Sequence, residues 1–144
     1  MATVQRILDV KGAEVVTCGP DDTVLDSARR MNEHGIGGVV VVDDGSVVGV
    51  FTERDVLRRV VAARRDPETT RLREVMSTPV ITCALGTQID ECRAIVTARR
   101  VRHLPVVKDG ALCGLITSGD ILAHQLREQQ EAIDYLNSWV HEGR

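Results

Sequence analysis

The sequence predicts an α+β fold of α/β-like repeats: one β-α-β-β-α unit occurs twice and a C-terminal helix follows. Three observations carry this expectation. A shift of 65 residues sets 6–57 on 71–122 without a gap and gives 13 identities in 52 positions. Self-similarity at a fixed offset is the mark of a duplicated structural unit. Val39 to Val42 are four consecutive valines, the pattern of a strand buried on both faces. Aromatic residues are only 2% of the 144-residue chain against 43% hydrophobic, so the core must be aliphatic.

The elements follow in order. Val15-Val16-Thr17 is a short apolar run and predicts a first strand. Thr23 to Glu33 reads as a helix, with Val24, Ala28 and Met31 on one face and Gly35 as its stop. Val39–Val42 is the second strand, Asp43-Asp44-Gly45-Ser46 a turn, and Val47–Phe51 the returning strand. A helix then starts at Thr52. The second unit repeats this as Val80-Ile81-Thr82, a helix with Ile89, Cys92 and Val96 inward, Leu104–Val107, Asp109-Gly110 and Leu112–Ile116, with a helix start at Thr117. Arg58–Thr70 connects the units and breaks at Asp66-Pro67. The units are therefore expected at 1–65 and 66–122, with a tail helix at 123–144. Leu122, Leu126, Gln129, Ile133, Leu136 and Val140 alternate by four and three along that tail. Such a seam is covered either by its own domain or by a partner helix. Left bare and ending in Tyr135 and Trp139 it would be costly in a monomer, which points to a homodimer contact.

Composition excludes several classes. A net charge of -3 argues against a general nucleic-acid surface. No apolar run reaches the ~18 residues of a membrane helix, and Met1–Val10 has no signal-peptide core, so a cytoplasmic protein is expected. Cys18, Cys83, Cys92 and Cys113 form no CxxC and sit among apolar or small residues. They read as buried small hydrophobes in a reducing compartment, with no metal site.

No HExxH, GxxxxGK[ST] or GxSxG is present, and Gly35-Ile36-Gly37-Gly38 precedes a strand instead of opening a helix. None of His34, His103, His124 and His141 is placed with a nucleophile, so no catalytic residue is expected. The signal that recurs is Gly-Φ-Φ-Thr-x-x-Asp, at Gly49–Asp55 and Gly114–Asp120. One reading is a helix capping box, with Thr at the N-cap and Asp three residues on. The other is a ligand site. Each motif leaves a buried strand at its carboxyl end, where α/β units bind ligands, and a carboxylate there can accept both hydroxyls of a ribose. Both roles can hold together. Arg99-Arg100-Val101-Arg102-His103-Leu104-Pro105 is the second constellation. Arg99 and Arg100 are accounted for by the dipole at a helix end. Arg102 and His103 lie just before a buried strand and are better placed to face a cleft.

With these marks the chain resembles tandem CBS-domain proteins, named after cystathionine β-synthase, over about residues 6–122. The resemblance implies that the two CBS motifs pack as a pseudo-two-fold disc with two clefts. It also implies a regulatory module that binds an adenosyl ligand, such as AMP, ADP, ATP, NAD or S-adenosylmethionine, with no cofactor required. Carried over by position, cleft A combines Thr52, Arg54 and Asp55 with Ile81, Thr82, Arg102, His103, Leu104 and Pro105. Asp55 would hold the ribose; Arg54, Arg102 and His103 would meet phosphate; Ile81 and Leu104 would sandwich the base. Cleft B combines Thr117, Ser118 and Asp120 with Val16, Thr17, Ile36 and Val39, and departs from the pattern where Gly37, Gly38 and Gly119 replace the cations. With Phe51 the one ring inside either unit, the base must be gripped by aliphatic side chains. The alternative is a structural or adaptor homodimer with empty clefts. Either way the output passes to a partner protein that the sequence does not identify.

Overall fold

Local sequence sets most of the elements. The computed structural model describes residues 1–142; Gly143 and Arg144, the end of the expected tail helix, lie outside the described residues. Helix α1 (Val4–Lys11) and a two-residue strand β1 (Thr17–Cys18) come first, followed by α2 (Val24–His34). Thr23 caps α2 by accepting from the Asp26 amide at 3.2 Å, and Gly35 closes it in the left-handed region at φ 63°. Strands β2 (Gly38–Asp43) and β3 (Ser46–Thr52) form a hairpin, and α3 (Glu53–Asp55) runs on into a π-helical segment, Val56–Val61. After the connector come a short helix α4 (Leu72–Val75), then α5 (Ile89–Arg99), the hairpin β4 (His103–Lys108) and β5 (Ala111–Thr117), and the long α6 (Ser118–Glu142). Both hairpins turn on Asp-Gly pairs with positive φ at each residue, 48° and 80° at Asp44-Gly45 and 51° and 81° at Asp109-Gly110. That turn geometry matches the twist of the flanking strands.

The strands form one sheet in the order β1-β2-β3-β5-β4. The halves meet where Ser46 pairs with Ala111. These two residues are equivalent under the 65-residue shift, so a pseudo-two-fold axis passes through this pair. It is the one pairing between β3 and β5 among the described residues, so these two strands are not paired with each other toward Thr52 and Thr117.

Two aliphatic cores result, and the lead helices are exchanged between them. The first core holds Val24, Met31, Val39, Val41 and Phe51 together with Leu72 and Val75 of α4. The second holds Ile89, Cys92, Leu104, Val106 and Ile116 together with Val4, Ile7 and Leu8 of α1. Backbone bonds fix the crossing: Val4 and Gln5 donate to the Thr87 and Leu85 carbonyls at 2.9 and 3.0 Å. Leu72 and Arg73 donate to the equivalent carbonyls of the first unit, Asp22 and Pro20, at 3.0 and 2.9 Å.

The expected first strands need correction. The first begins at Thr17 instead of Val15, and Val80-Ile81-Thr82 is not a strand; its place is taken by a single bridge between Cys83 and Val106. Proline chemistry explains the difference. In the first unit the Val40 amide donates to the Val16 carbonyl at 3.4 Å. The residue equivalent to Val40 is Pro105, which has no N–H, so Ile81 has no such ladder donor. Pairing there is confined to Cys83, whose amide donates to Pro105 at 3.0 Å and whose carbonyl accepts from Val107 at 2.9 Å. Phe51 is the one Phe, Tyr or Trp inside either unit. It is 0% exposed in the first core, so it offers no ring to a ligand.

The tail is one helix, as its spacing predicts. Ile121 and His124 bury its first turns. Beyond them Leu126, Ile133, Leu136, Val140, Tyr135 and Trp139 are 51–62% exposed, so the chain's own domain does not cover the seam.

Candidate functional site

Thr52 ends β3 and caps α3, and this local geometry builds the site. Asp55 is buried. One carboxylate oxygen accepts from the Thr52 amide at 3.0 Å and from its hydroxyl at 3.3 Å. The other accepts from the Ser77 hydroxyl at 2.9 Å, with Arg59 Nε at 3.6 Å. The capping box is therefore real. A carboxylate offers about four lone-pair directions, so one stays open on the Ser77 side.

A cavity of about 160 Å³ opens beside this carboxylate. Of the residues expected in cleft A, Thr52, Arg54, Asp55, Ile81, Arg102 and His103 line it together. Thr82, Leu104 and Pro105 do not. Leu104 lies in the second core at 0% exposure, Pro105 is buried and Thr82 is exposed. Leu104 alternates with His103 along β4, so when one side chain faces the cavity the other faces the core. The wall also includes Ser77, Glu53 and Arg100, which sequence reasoning missed. Ser77 follows the exchanged helix α4 and reaches the site only through that exchange. Arg54 is held at the rim, donating to the Arg100 carbonyl at 3.3 Å.

His103 explains why the two clefts differ. A Cβ placed on Gly38 would lie 2.9 Å from His103 Nε2 and 3.1 Å from Cε1. Gly38 and His103 are equivalent positions that meet across the pseudo-two-fold, and only one of them has room for a side chain. Burial holds the His103 pKa below its ordinary value, with Lys11 and Arg102 pushing the same way and Glu53 and Asp120 opposing. The ring is thus neutral near pH 7 and sits between the charges of both clefts.

Cleft B has the same cap but a different occupant. The Thr117 amide donates to Asp120 at 2.8 Å, and the Asp120 amide donates back to the Thr117 hydroxyl at 3.2 Å. Here Lys11 Nζ, from the end of α1, sits 2.7 Å from the Asp120 carboxylate and donates to the Leu115 carbonyl at 2.9 Å. Ser118 and Thr17 are half-buried, Val39 is buried in the first core with Val16 packed against it, and Ile36 is exposed.

Two of the buried cysteines are held in the neutral thiol form. Burial pushes the Cys18 thiol up, and a hydrogen bond with Cys92 followed by burial does the same for Cys83. Both behave as small apolar residues. Among the described residues no group of three His, Cys, Asp or Glu is placed to hold a metal ion.

Comparison with known proteins agrees with this architecture. A family model of the CBS domain matches twice, at residues 8–62 and 72–127. The CBS domain-containing protein CBSX3, mitochondrial, of Arabidopsis thaliana is 30% identical over 150 residues, taking in 98% of this chain and 73% of that protein. A solved CBS-domain containing protein of Agrobacterium tumefaciens is 37% identical with a TM-score of 0.81, covering 86% of this chain and 99% of that one. A hexameric CBS-CP12 protein from bloom-forming cyanobacteria is 28% identical with a TM-score of 0.74, covering 85% of this chain and 70% of that one.

Proposed function

We propose that this chain, which belongs to the CBS-domain family, is a non-catalytic regulatory module that binds one adenine nucleotide per chain in the cavity at Asp55. CBS-domain pairs are in general regulatory, ligand-binding modules. One observation carries the specific reading: a single cavity is lined by a buried carboxylate together with Arg54 and Arg102. Asp55 is suited to a ribose hydroxyl, Ile81 and Val80 to the base, and the guanidinium groups to phosphate. The ligand class is AMP, ADP, ATP or NAD. Cleft B is not counted as a second site, because the Lys11 ammonium bonds the Asp120 carboxylate directly at 2.7 Å, whereas Arg59 stays 3.6 Å from Asp55. The compartment in this reading is the cytoplasm, where the four free cysteines stay reduced.

The test is a thermal-shift screen with AMP, ATP, NAD and S-adenosylmethionine. A ligand at a hundredfold over its Kd adds ~2.7 kcal/mol. For a domain of this size that raises Tm by roughly 5–15 °C. No shift with any of the four at millimolar concentration overturns the reading and leaves an adaptor with empty clefts.

The tail supplies the output surface, and its partner in this proposal is a second copy. In the heptad frame set by Leu126, Ile133 and Val140, the flanking positions Ala123, Gln125, Gln130, Ala132, Asn137 and Trp139 are all uncharged. Arg127, Glu128, Glu131 and Asp134 fall on the outer face. Two copies thus meet without like charges across the seam. The cyanobacterial relative is itself an oligomer. Sedimentation should give a dimer for the native chain and a monomer for Ile133→Asp/Leu136→Asp; a native monomer refutes the contact.

A further inference from the structure

Beside the cavity runs a groove of about 550 Å³ lined by Arg54, Arg58, Arg99, Arg100 and Arg102. Arg54, Arg100 and Arg102 line both spaces, so groove and cavity lie side by side across a shared wall. No carboxylate lines the groove, and none of the five arginines has one within 4.0 Å among the described residues. Five unpaired cations in one groove stand out on a chain whose net charge is -3.

Helix-end electrostatics explains only part of this. Arg99 and Arg100 lie at the C-terminal end of α5, where the dipole favours cations. Arg54 lies in the first turn of α3, the end where the dipole disfavours a cation. Arg58 follows it by four residues, so the two repel along one helical face. Neither α3 nor its π-helical continuation gains from this pair, which leaves an external anion as the group that offsets the repulsion.

We infer that this groove is an anion subsite for the polyphosphate end of the nucleotide, so that the chain selects a nucleoside triphosphate over a monophosphate. The inference rests on the reading of the cavity. The ribose is held at Asp55, the first phosphate passes Arg54 and Arg102 at the rim, and the outer phosphates lie among Arg58, Arg99 and Arg100. Planar guanidinium forks suit adjacent phosphate oxygens, each able to bond in bidentate fashion.

Magnesium-free calorimetry separates this from the cavity reading. Arg58→Gln/Arg99→Gln changes two exposed side chains that line the groove and not the cavity. The native chain should bind ATP at least tenfold more tightly than AMP. The double variant should bring ATP to the AMP level and change AMP by less than twofold. Equal native affinities for ATP and AMP, or a variant that weakens both alike or neither, overturn the groove and leave the cavity standing. If neither nucleotide binds, the cavity reading fails and inorganic tripolyphosphate decides: binding lost in the variant supports the groove, and no binding overturns it.

Discussion

Replacing Asp55 by Asn, with Asp120→Asn as its control, separates a ligand carboxylate from a helix cap. Both aspartates cap a helix in the same way, and Asn keeps an acceptor oxygen for the Thr amide, so each variant should fold with a modest loss of stability. Their roles toward ligand differ. Asp55 has one oxygen filled twice by Thr52 and the other filled once by Ser77. One lone-pair direction therefore remains for a ribose hydroxyl. A hydrogen bond to a charged acceptor contributes about 1.5–3 kcal/mol, so Asp55→Asn should weaken AMP or ATP by roughly 10- to 150-fold. Asp120 is already paired with Lys11 at 2.7 Å. Its replacement should leave nucleotide affinity within about twofold, a change of ~0.4 kcal/mol. Calorimetry well below each variant's Tm, with circular dichroism to show the fold, reads both numbers. Equal losses in the two variants would refute the assignment of the site to cleft A, and native affinity in Asp55→Asn would remove Asp55 from the ligand altogether.

Further consequences concern the axis between the clefts and the charges around it. Gly38→Ala sets a methyl 2.9 Å from the His103 ring and should cost about 1–3 kcal/mol in urea unfolding. Adding His103→Ala should recover most of the loss, whereas strictly additive losses would contradict the contact. Burial holds His103 below 6.5, so the native state takes up this proton later than the unfolded chain. The stabilisation from the neutral ring is complete above pH 6.5 and declines as the pH falls toward and through the native value. Unfolding followed between pH 7.5 and 5 should show a shallower decline in His103→Gln; an unchanged slope would refute the assignment. Lys11→Met leaves Asp120 without its cation and should lower stability by about 1–2 kcal/mol. Nucleotide stoichiometry should then rise from one toward two per chain, and a value that stays at one shows that Lys11 is not what closes cleft B.

Where the fold was legible in the sequence, local chemistry decided it. The hairpins follow from Asp44-Gly45 and Asp109-Gly110, the α2 boundaries from Thr23 and Gly35, and the tail from its heptad spacing. The pieces that escaped were set by partners distant in sequence. Val4, Ile7 and Leu8 already have helical spacing, but nothing in the chain says that they cross to the second unit. Val80-Ile81-Thr82 reads as a strand until Pro105 is seen to lack the amide it would need. Six cavity residues could be named: Thr52 and Asp55 from the repeated motif, Arg102 and His103 from their place before a buried strand, and Arg54 and Ile81 from the family resemblance. Ser77 could not, because its equivalent is Gly12 and the duplication carries no trace of its role. Leu104 was placed in the cleft by position, but the alternation of β4 assigns that face to His103.

The exchange of α1 and α4 makes the two clefts variants of one device. In each unit the capping aspartate is met by the segment at the end of the lead helix donated by the other unit. The chain leaving α4 brings the Ser77 hydroxyl to Asp55, and the end of α1 brings the Lys11 ammonium to Asp120. A neutral hydroxyl can rotate and exchange one hydrogen bond for another with an entering ribose at little cost. An ammonium that leaves a half-buried carboxylate separates two charges, and the entering hydroxyl replaces only part of that interaction. The same fold thus leaves one carboxylate bonded by a hydroxyl with its nearest cation, Arg59, 3.6 Å away, and holds the other in direct contact with an ammonium at 2.7 Å. Ser77, Pro79, Val80 and Ile81 all line the cavity, so a nucleotide bound there would touch the same segment that supplies the hydroxyl to Asp55.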